Sequence, residues 1–280
     1  MPTILAIDHV TIAGPALAPL EQAFAGVGLP TDYGGTHSNG VTHMALLGFA
    51  DGSYIELISS LEPGLKETIF WGEHIAGNGG PCAWAIQSDD VAAEAARLEA
   101  LGVTVKGPEY MHRRRPDGLL IEWDLAFLGD EGAGATLPFM IKDITPREWR
   151  VQPSASVAGR LSGVAQVILG VAHLADSIDL FRRVYGWSAP QLRDDSVFQA
   201  RLAHFAGTPV TLAASLVKDD WLAVRLARFG PSPCAYLLGT NDFETAQREF
   251  DLISPADWFG RPVAWFDPGR LKGVKLGVIA

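Results

Sequence analysis

Two copies of one pattern run through this chain and limit the folds it can adopt. An apolar, strand-like run, Ala6-Ile7-Asp8-His9-Val10-Thr11-Ile12-Ala13, is followed by a short turn and an amphipathic helix; Val164-Ala165-Gln166-Val167-Ile168-Leu169-Gly170 opens the same series again. Ala50-Asp51-Gly52-Ser53 aligns with Phe205-Ala206-Gly207-Thr208, and Gly80-Pro81-Cys82-Ala83-Trp84 with Ser232-Pro233-Cys234-Ala235-Tyr236. The offset falls from 157 residues (His9 to Gln166) to 155 (Gly52 to Gly207) and 152 (Cys82 to Cys234), a slow drift that loop deletions explain. The chain is an internal duplication, and each half is itself two strand-helix-strands units.

The periodicities fill in those units. Residues 5–13 read as a strand from their Ile, Val and Thr content, and Leu17, Leu20, Phe24 and Val27 recur at helical spacing over 17–27. A short strand at 33–35 follows, then strands at 41–49 and 53–59 across the hairpin signal Ala50-Asp51-Gly52. Residues 66–76 read as a connecting helix. The series restarts with a strand at 82–87, a helix at 91–101, and strands at 103–106, 119–128 and 137–141, with a turn at Pro116-Asp117-Gly118. The stretch 152–159 is the linker, so the expected domains are 1–150 and 160–280. In the second half, strands are expected at 163–171, 197–205, 210–214, 233–238, 262–266 and 273–279, and helices at 177–185, 219–229 and 244–250.

Composition removes several functions. With 48% hydrophobic residues the chain can bury a core, and a net charge of −10 argues against general nucleic-acid or anionic-membrane binding. No signal peptide and no apolar run of membrane-spanning length is seen, so a cytoplasmic protein, monomeric or homodimeric, is expected. Cys82 and Cys234 lie in strands without Cys-x-x-Cys spacing, as small buried residues do. Dinucleotide, P-loop and nucleophile-elbow motifs are missing.

Chemistry concentrates in the first half. Strand alternation puts His9 with Ile7 and Thr11, His43 with Ala45 and Leu47, and Glu56 with Tyr54 and Ile58. A histidine in an apolar strand is ordinarily a satisfied core residue. Glu56, however, sits in Tyr54-Ile55-Glu56-Leu57-Ile58, where no wet face exists, and a carboxylate there needs a partner. Imidazole and carboxylate from neighbouring strands suit a divalent metal. Arg113–Arg115 offer planar donors to a carboxylate or phosphate, or else form a solvated loop. Trp71, Tyr110 and Trp123 line a cleft or fill a core.

Asp8-His9-Val10 opening a unit and Asp51-Gly52-Ser53-Tyr54-Ile55-Glu56-Leu57 closing it resemble the vicinal oxygen chelate superfamily, which includes glyoxalase I, extradiol dioxygenases and antibiotic-resistance binding proteins. Gly34-Gly35-Thr36-His37 and Arg113-Arg114-Arg115-Pro116-Asp117-Gly118 are similar to its glyoxalase-like domain subgroup. The resemblance implies an α+β fold of tandem βαβββ modules in cupped mixed sheets. It also implies a divalent metal (Zn, Ni, Mn or Fe) held by residues of first and last strands: His9 and Glu56 in the first unit, and Glu122, after Asp117-Gly118, in the second. The second unit opens with Cys82-Ala83 where a ligand is expected, so His43, read as neighbouring Glu56, or His37 is called on to substitute. In the second half Gln166 replaces His9, Thr211 replaces Glu56 and Phe198 takes the place of His43, so that half is expected to be structural or to help close the pocket.

Two functions follow. One is a metal-dependent lyase, isomerase or dioxygenase acting on a small vicinal-oxygen substrate, with Glu56 also able to act as base, His9, Glu56, His43 and Glu122 as metal ligands, and His37, Arg113, Arg115 and Trp123 contacting substrate. The other is a metal-free protein that sequesters a small aromatic or amphipathic molecule.

Overall fold

The computed structural model describes residues 3–62 and 70–280; of the expected helix over 66–76, residues 66–69 lie outside them. The first half holds β1 (Ile7–Ala13), α1 (Leu17–Ala25), β2 (Asp32–Thr36), β3 (Thr42–Gly48), β4 (Tyr54–Ser60), α2 (Gly72–Ala76), β5 (Gly80–Gln87), α3 (Val91–Ala100), β6 (Val105–Arg114), β7 (Leu120–Leu128), β8 (Phe139–Asp143) and the short turn α4 (Arg147–Arg150). The second holds β9 (Gly163–Gly170), α5 (Leu174–Tyr185), β10 (Gln191–Asp195), β11 (Ala200–His204), β12 (Val210–Ala214), α6 (Trp221–Phe229), β13 (Ser232–Gly239), α7 (Phe243–Glu249), β14 (Ile253–Trp258), β15 (Arg261–Trp265) and β16 (Leu276–Ile279).

Each half closes into one mixed sheet of eight strands, in the orders β2-β3-β4-β1-β5-β8-β7-β6 and β10-β11-β12-β9-β13-β16-β15-β14. In both, the first strands of the two units pair antiparallel at the centre, and each first strand pairs parallel with the last strand of its own unit. This is the tandem βαβββ arrangement expected from the repeat. Strands β10 and β14 carry little apolar periodicity and were not expected; ladder pairing with β11 and β15 holds them. Strand β6 extends well past residue 106, so Arg113 and Arg114 are strand and Arg115 begins the turn.

Alternation divides each sheet into two faces. One face of the first sheet (Val10, Ile12, Ala45, Leu47, Ile55, Leu57) joins its counterpart in the second (Val167, Leu169, Val210, Leu212) and the apolar sides of α1, α3, α5 and α7 in one continuous core. The halves are therefore buried against each other. Tyr236 is fully buried at this seam, and its hydroxyl donates to the carbonyls of Ala83 at 2.7 Å and Thr11 at 3.0 Å. Arg225 ties the same seam by donating to the carbonyls of Gly79, Pro81 and Pro233. Gly48 lets the linker lie flat on β3, since a Cβ there would stand 2.3 Å from the Gln152 carbonyl oxygen. Among the described residues no helix is long and apolar enough to cross a membrane.

Candidate active site

The opposite faces of the two sheets curve into cups, and the first holds a cavity. Its cavity has a free volume of about 140 Å³ and opens to solvent. The walls are Met44 and Leu46 from β3, Tyr54 and Ile58 from β4, Trp123, Leu125 and Phe127 from β7, and Phe139 and Ile141 from β8, with Phe70 and Trp71 at the rim. Polar groups enter at separate points: His9 from β1, Glu56 from β4, His37, Ser38 and Asn39 from the loop after β2, Thr42 from the start of β3, and His112 and Arg113 from β6.

His9 is held from behind. Its Nδ1 lies 2.7 Å from Oδ1 of Asp8, a side chain with no exposed surface. Asp8 is in turn gripped by the guanidinium groups of Arg147 and Arg150 on α4, which also pair with Asp143 at the end of β8. Burial alone would raise the Asp8 carboxyl, but Arg150, His9 and Arg147 outweigh it and hold it well below the usual carboxylate range. An ionised Asp8 keeps the His9 proton on Nδ1 and leaves Nε2 as the acceptor on a ring that lines the cavity. Stacking on Tyr54 at 4.6 Å and an edge contact with Phe139 at 5.3 Å fix the ring plane.

Glu56 lies beside that ring. The parallel register sets His9 against Tyr54 and Thr11 against Glu56, so Glu56 is one step along the same face. The carboxylate is 6% exposed, and its polar neighbour among the described residues is His37, with Nε2 3.9 Å from Oε2. The other His37 nitrogen meets the Thr42 hydroxyl at 2.8 Å. Burial pushes the His37 imidazole below the ordinary histidine range against the opposing pull of Glu56.

Arg113 is buried, donating from one nitrogen to the Gly34 carbonyl at 2.7 Å and from the other to the Arg150 carbonyl at 2.8 Å. It therefore buttresses both β2 and α4. Trp123 packs its ring 5.1 Å from the Arg150 guanidinium. Among the sequence candidates, then, His9, Glu56, His37, Arg113 and Trp123 share one cavity.

Three candidates are elsewhere. His43 lies opposite Ser59, whose hydroxyl it meets at 2.8 Å, while Leu46 is the residue opposite Glu56. It shares a face with Ala45 and Leu47 of the core, the side of β3 away from the cavity. Glu122 is on β7, the third strand of its unit; the last strand is β8, which brings Phe139 and Ile141 to the cavity. Alternation turns Glu122 away from Trp123 and Leu125, and it accepts a hydrogen bond from the Tyr110 hydroxyl at 2.5 Å. Arg115 lies beyond the cavity, pairing with Asp117 at 2.9 Å and donating to the Trp149 carbonyl.

These corrections bear on a metal. The second unit presents Phe139 and Ile141 where the resemblance requires ligands, and among the described residues no three His, Cys, Asp or Glu side chains converge to hold an ion. As arranged, the donor set does not fit the divalent metal that the superfamily implies.

The second cup is filled. Phe198, Trp258 and Trp265 stand 5.4–6.1 Å apart on its concave side, with Trp221 of α6 5.3 Å from Phe198. Gln166 accepts from the Trp258 indole at 2.8 Å and from the Thr211 hydroxyl at 3.3 Å, so the counterparts of His9 and Glu56 satisfy each other. Thr211 pairs with Ile168 as Glu56 pairs with Thr11, but His43 corresponds by ladder register to Arg201, not to Phe198.

The sequence reading missed Asp8, Arg147, Arg150 and Asp143. Asp8 was legible, since a carboxylate between Ile7 and Val10 demands partners; the arginines, about 140 residues away, gave no local signal.

Comparison with known proteins agrees with this architecture. A family model described as "Glyoxalase-like domain" matches residues 7–185. No curated protein matches the chain. A hypothetical protein from Staphylococcus aureus is similar in structure at a TM-score of 0.65 and 15% identity, covering 98% of this chain and 99% of its own. A mutant 4-hydroxymandelate synthase from Streptomyces coelicolor has a TM-score of 0.64 at 11% identity, with 100% and 93% covered. A xylose isomerase-like TIM barrel/4-hydroxyphenylpyruvate dioxygenase fusion protein has a TM-score of 0.57 at 13% identity over 99% of this chain and 49% of that one. At these identities the structures speak for the fold. With the family model spanning more than half its length, the chain belongs to the glyoxalase-like domain family of the vicinal oxygen chelate superfamily.

Proposed function

We propose that the first cup is the active site of an enzyme that moves a proton on a small, largely apolar carbonyl compound. The observation that carries this reading is the support behind His9. A fully buried aspartate held by two arginines is costly to bury, and a cavity that only sequesters ligands has no use for it. An active site does, because it orients the ring and stabilises the imidazolium that forms when Nε2 takes a proton. In this reading Glu56, on the same face, takes the proton from carbon next to a carbonyl, giving an enolate and a neutral carboxylic acid; His9 Nε2 then carries the neighbouring hydroxyl's proton to the enolate oxygen, and Glu56 returns its proton to carbon. The apolar walls exclude water from the anion so formed.

The second reading, sequestration without turnover, draws support from the preponderance of rings and aliphatic side chains in the walls. Incubation with an aryl hydroxyketone such as 2-hydroxyacetophenone in deuterated buffer separates the two. Proton NMR is expected to show deuterium entering the carbon next to the carbonyl with wild type, and a loss of about a hundredfold or more with Glu56→Gln. Binding without exchange across a panel of such ketones supports sequestration instead. Dialysis against a chelator is expected to leave the exchange rate unchanged, because the donor set falls short of a metal site; loss on chelation with recovery on adding one metal would contradict that.

A further inference from the structure

The charges around the cavity constrain what it accepts, and this step rests on the first cup being the ligand site. Two cations line it, Arg113 and Arg150. The terminal nitrogens of Arg113 are both spent on the carbonyls of Gly34 and Arg150. Arg150 pairs with Asp8 and Asp143, and with Arg147 these form a balanced group of two positive and two negative charges. That leaves Glu56 and the positive charge of Arg113, which also cancel. At the cavity, the buried guanidinium nitrogens without a hydrogen-bond partner, Nε and Nη2 of Arg150, belong to the group already neutralised by two carboxylates, and Nη2 is ion-paired with Asp143.

The cavity therefore holds no surplus positive charge, while Glu56 and the free nitrogen of His9 both present lone pairs. An arriving carboxylate would be desolvated beside Glu56 without a compensating cation, which is expensive at this depth. A hydroxyl meets acceptors already in place. We infer that the site selects uncharged, flat molecules bearing a hydroxyl donor and rejects carboxylic acids of the same shape, with Glu56 as the residue that sets this selection. The rings of Tyr54, Trp123 and Phe139 and the thioethers of Met44 and Met111 provide the polarizable surface for the flat part.

Titration calorimetry at pH 7 with three probes tests this: 2-naphthol, 2-naphthoic acid, and methyl 2-naphthoate, which has the size of the acid without its charge. Wild type is expected to bind 2-naphthol at least about tenfold more tightly than the acid, with the ester between them. In Glu56→Gln, with folding verified by circular dichroism, the acid is expected to gain about tenfold and the gap to close. Equal or tighter binding of the acid to wild type overturns the charge selection while leaving the pocket intact. An acid no weaker than the ester does the same. Failure of all three probes to bind overturns the pocket reading itself, and the selection with it.

Discussion

Asp8 makes the sharpest claim at the level of single residues. Replacing it with Asn leaves Arg150 buried with one counter-ion fewer, and breaking such a pair costs about 3–5 kcal/mol. Urea unfolding at pH 7 measures that loss. The pH dependence follows from the direction of the shift. The folded Asp8 carboxyl is held below its unfolded value of about 3.9, so its contribution is complete above that pH and is lost as the pH falls toward the folded value. The stability gap between wild type and Asp8→Asn is therefore expected to narrow below about pH 4. A gap that stays constant from neutral pH into acid would mean that Asp8 gains nothing from its arginines. The His37 imidazole is depressed as well, so its neutral form stabilises the fold above about pH 6.5 and that contribution declines below it; histidine NMR should show it titrating below that value.

Among the elements, the two cups share a ladder order and differ in what fills them. Trp258 is 1% exposed at the centre of the second cup and donates to Gln166. Trp258→Ala is expected to cost about 3–5 kcal/mol by leaving a cavity and to affect stability without touching the first cup. Thermal unfolding beside probe binding separates the two effects. How far the sequence could be read is also decided here. The repeat and the apolar alternation made the central strands β1, β4, β5 and β9 legible, because both faces of each are buried. The edge strands β10 and β14 owe their form to pairing with a neighbour, which leaves no periodic mark. Glu122 was placed on a last strand because a Gly-turn precedes it, whereas the parallel partner of β5 is β8. One strand's error turned a surface carboxylate into a metal ligand. His43 went astray through register: its partner is Ser59, three positions beyond Glu56, so it lies on the opposite face. His9 and Glu56 were found together because each stood out against an apolar strand, whereas the arginines behind Asp8 depend on tertiary folding alone.

For the whole molecule, the shared core joins the halves more tightly than a linker would. Side chains from both sheets and four helices interleave, and Tyr236 bonds across the seam. A calorimetric scan is expected to show one cooperative transition for all 280 residues, with Tyr236→Phe lowering it by about 1–2 kcal/mol in stability. Two resolved transitions would contradict a common core. The filled cup then has a purpose within the fold. It completes the surface against which the open cup is built, and its side chains fill the space that is left as a cavity in the other. The central claim is that duplication produced two cups and that chemistry is confined to one. An NMR titration of isotopically labelled protein with 2-naphthol tests it most directly. The account predicts one site per chain, with perturbed resonances clustered at His9, Glu56, Tyr54 and Trp123 and none at Trp258 or Gln166; two sites per chain, or shifts centred on the second cup, would contradict it.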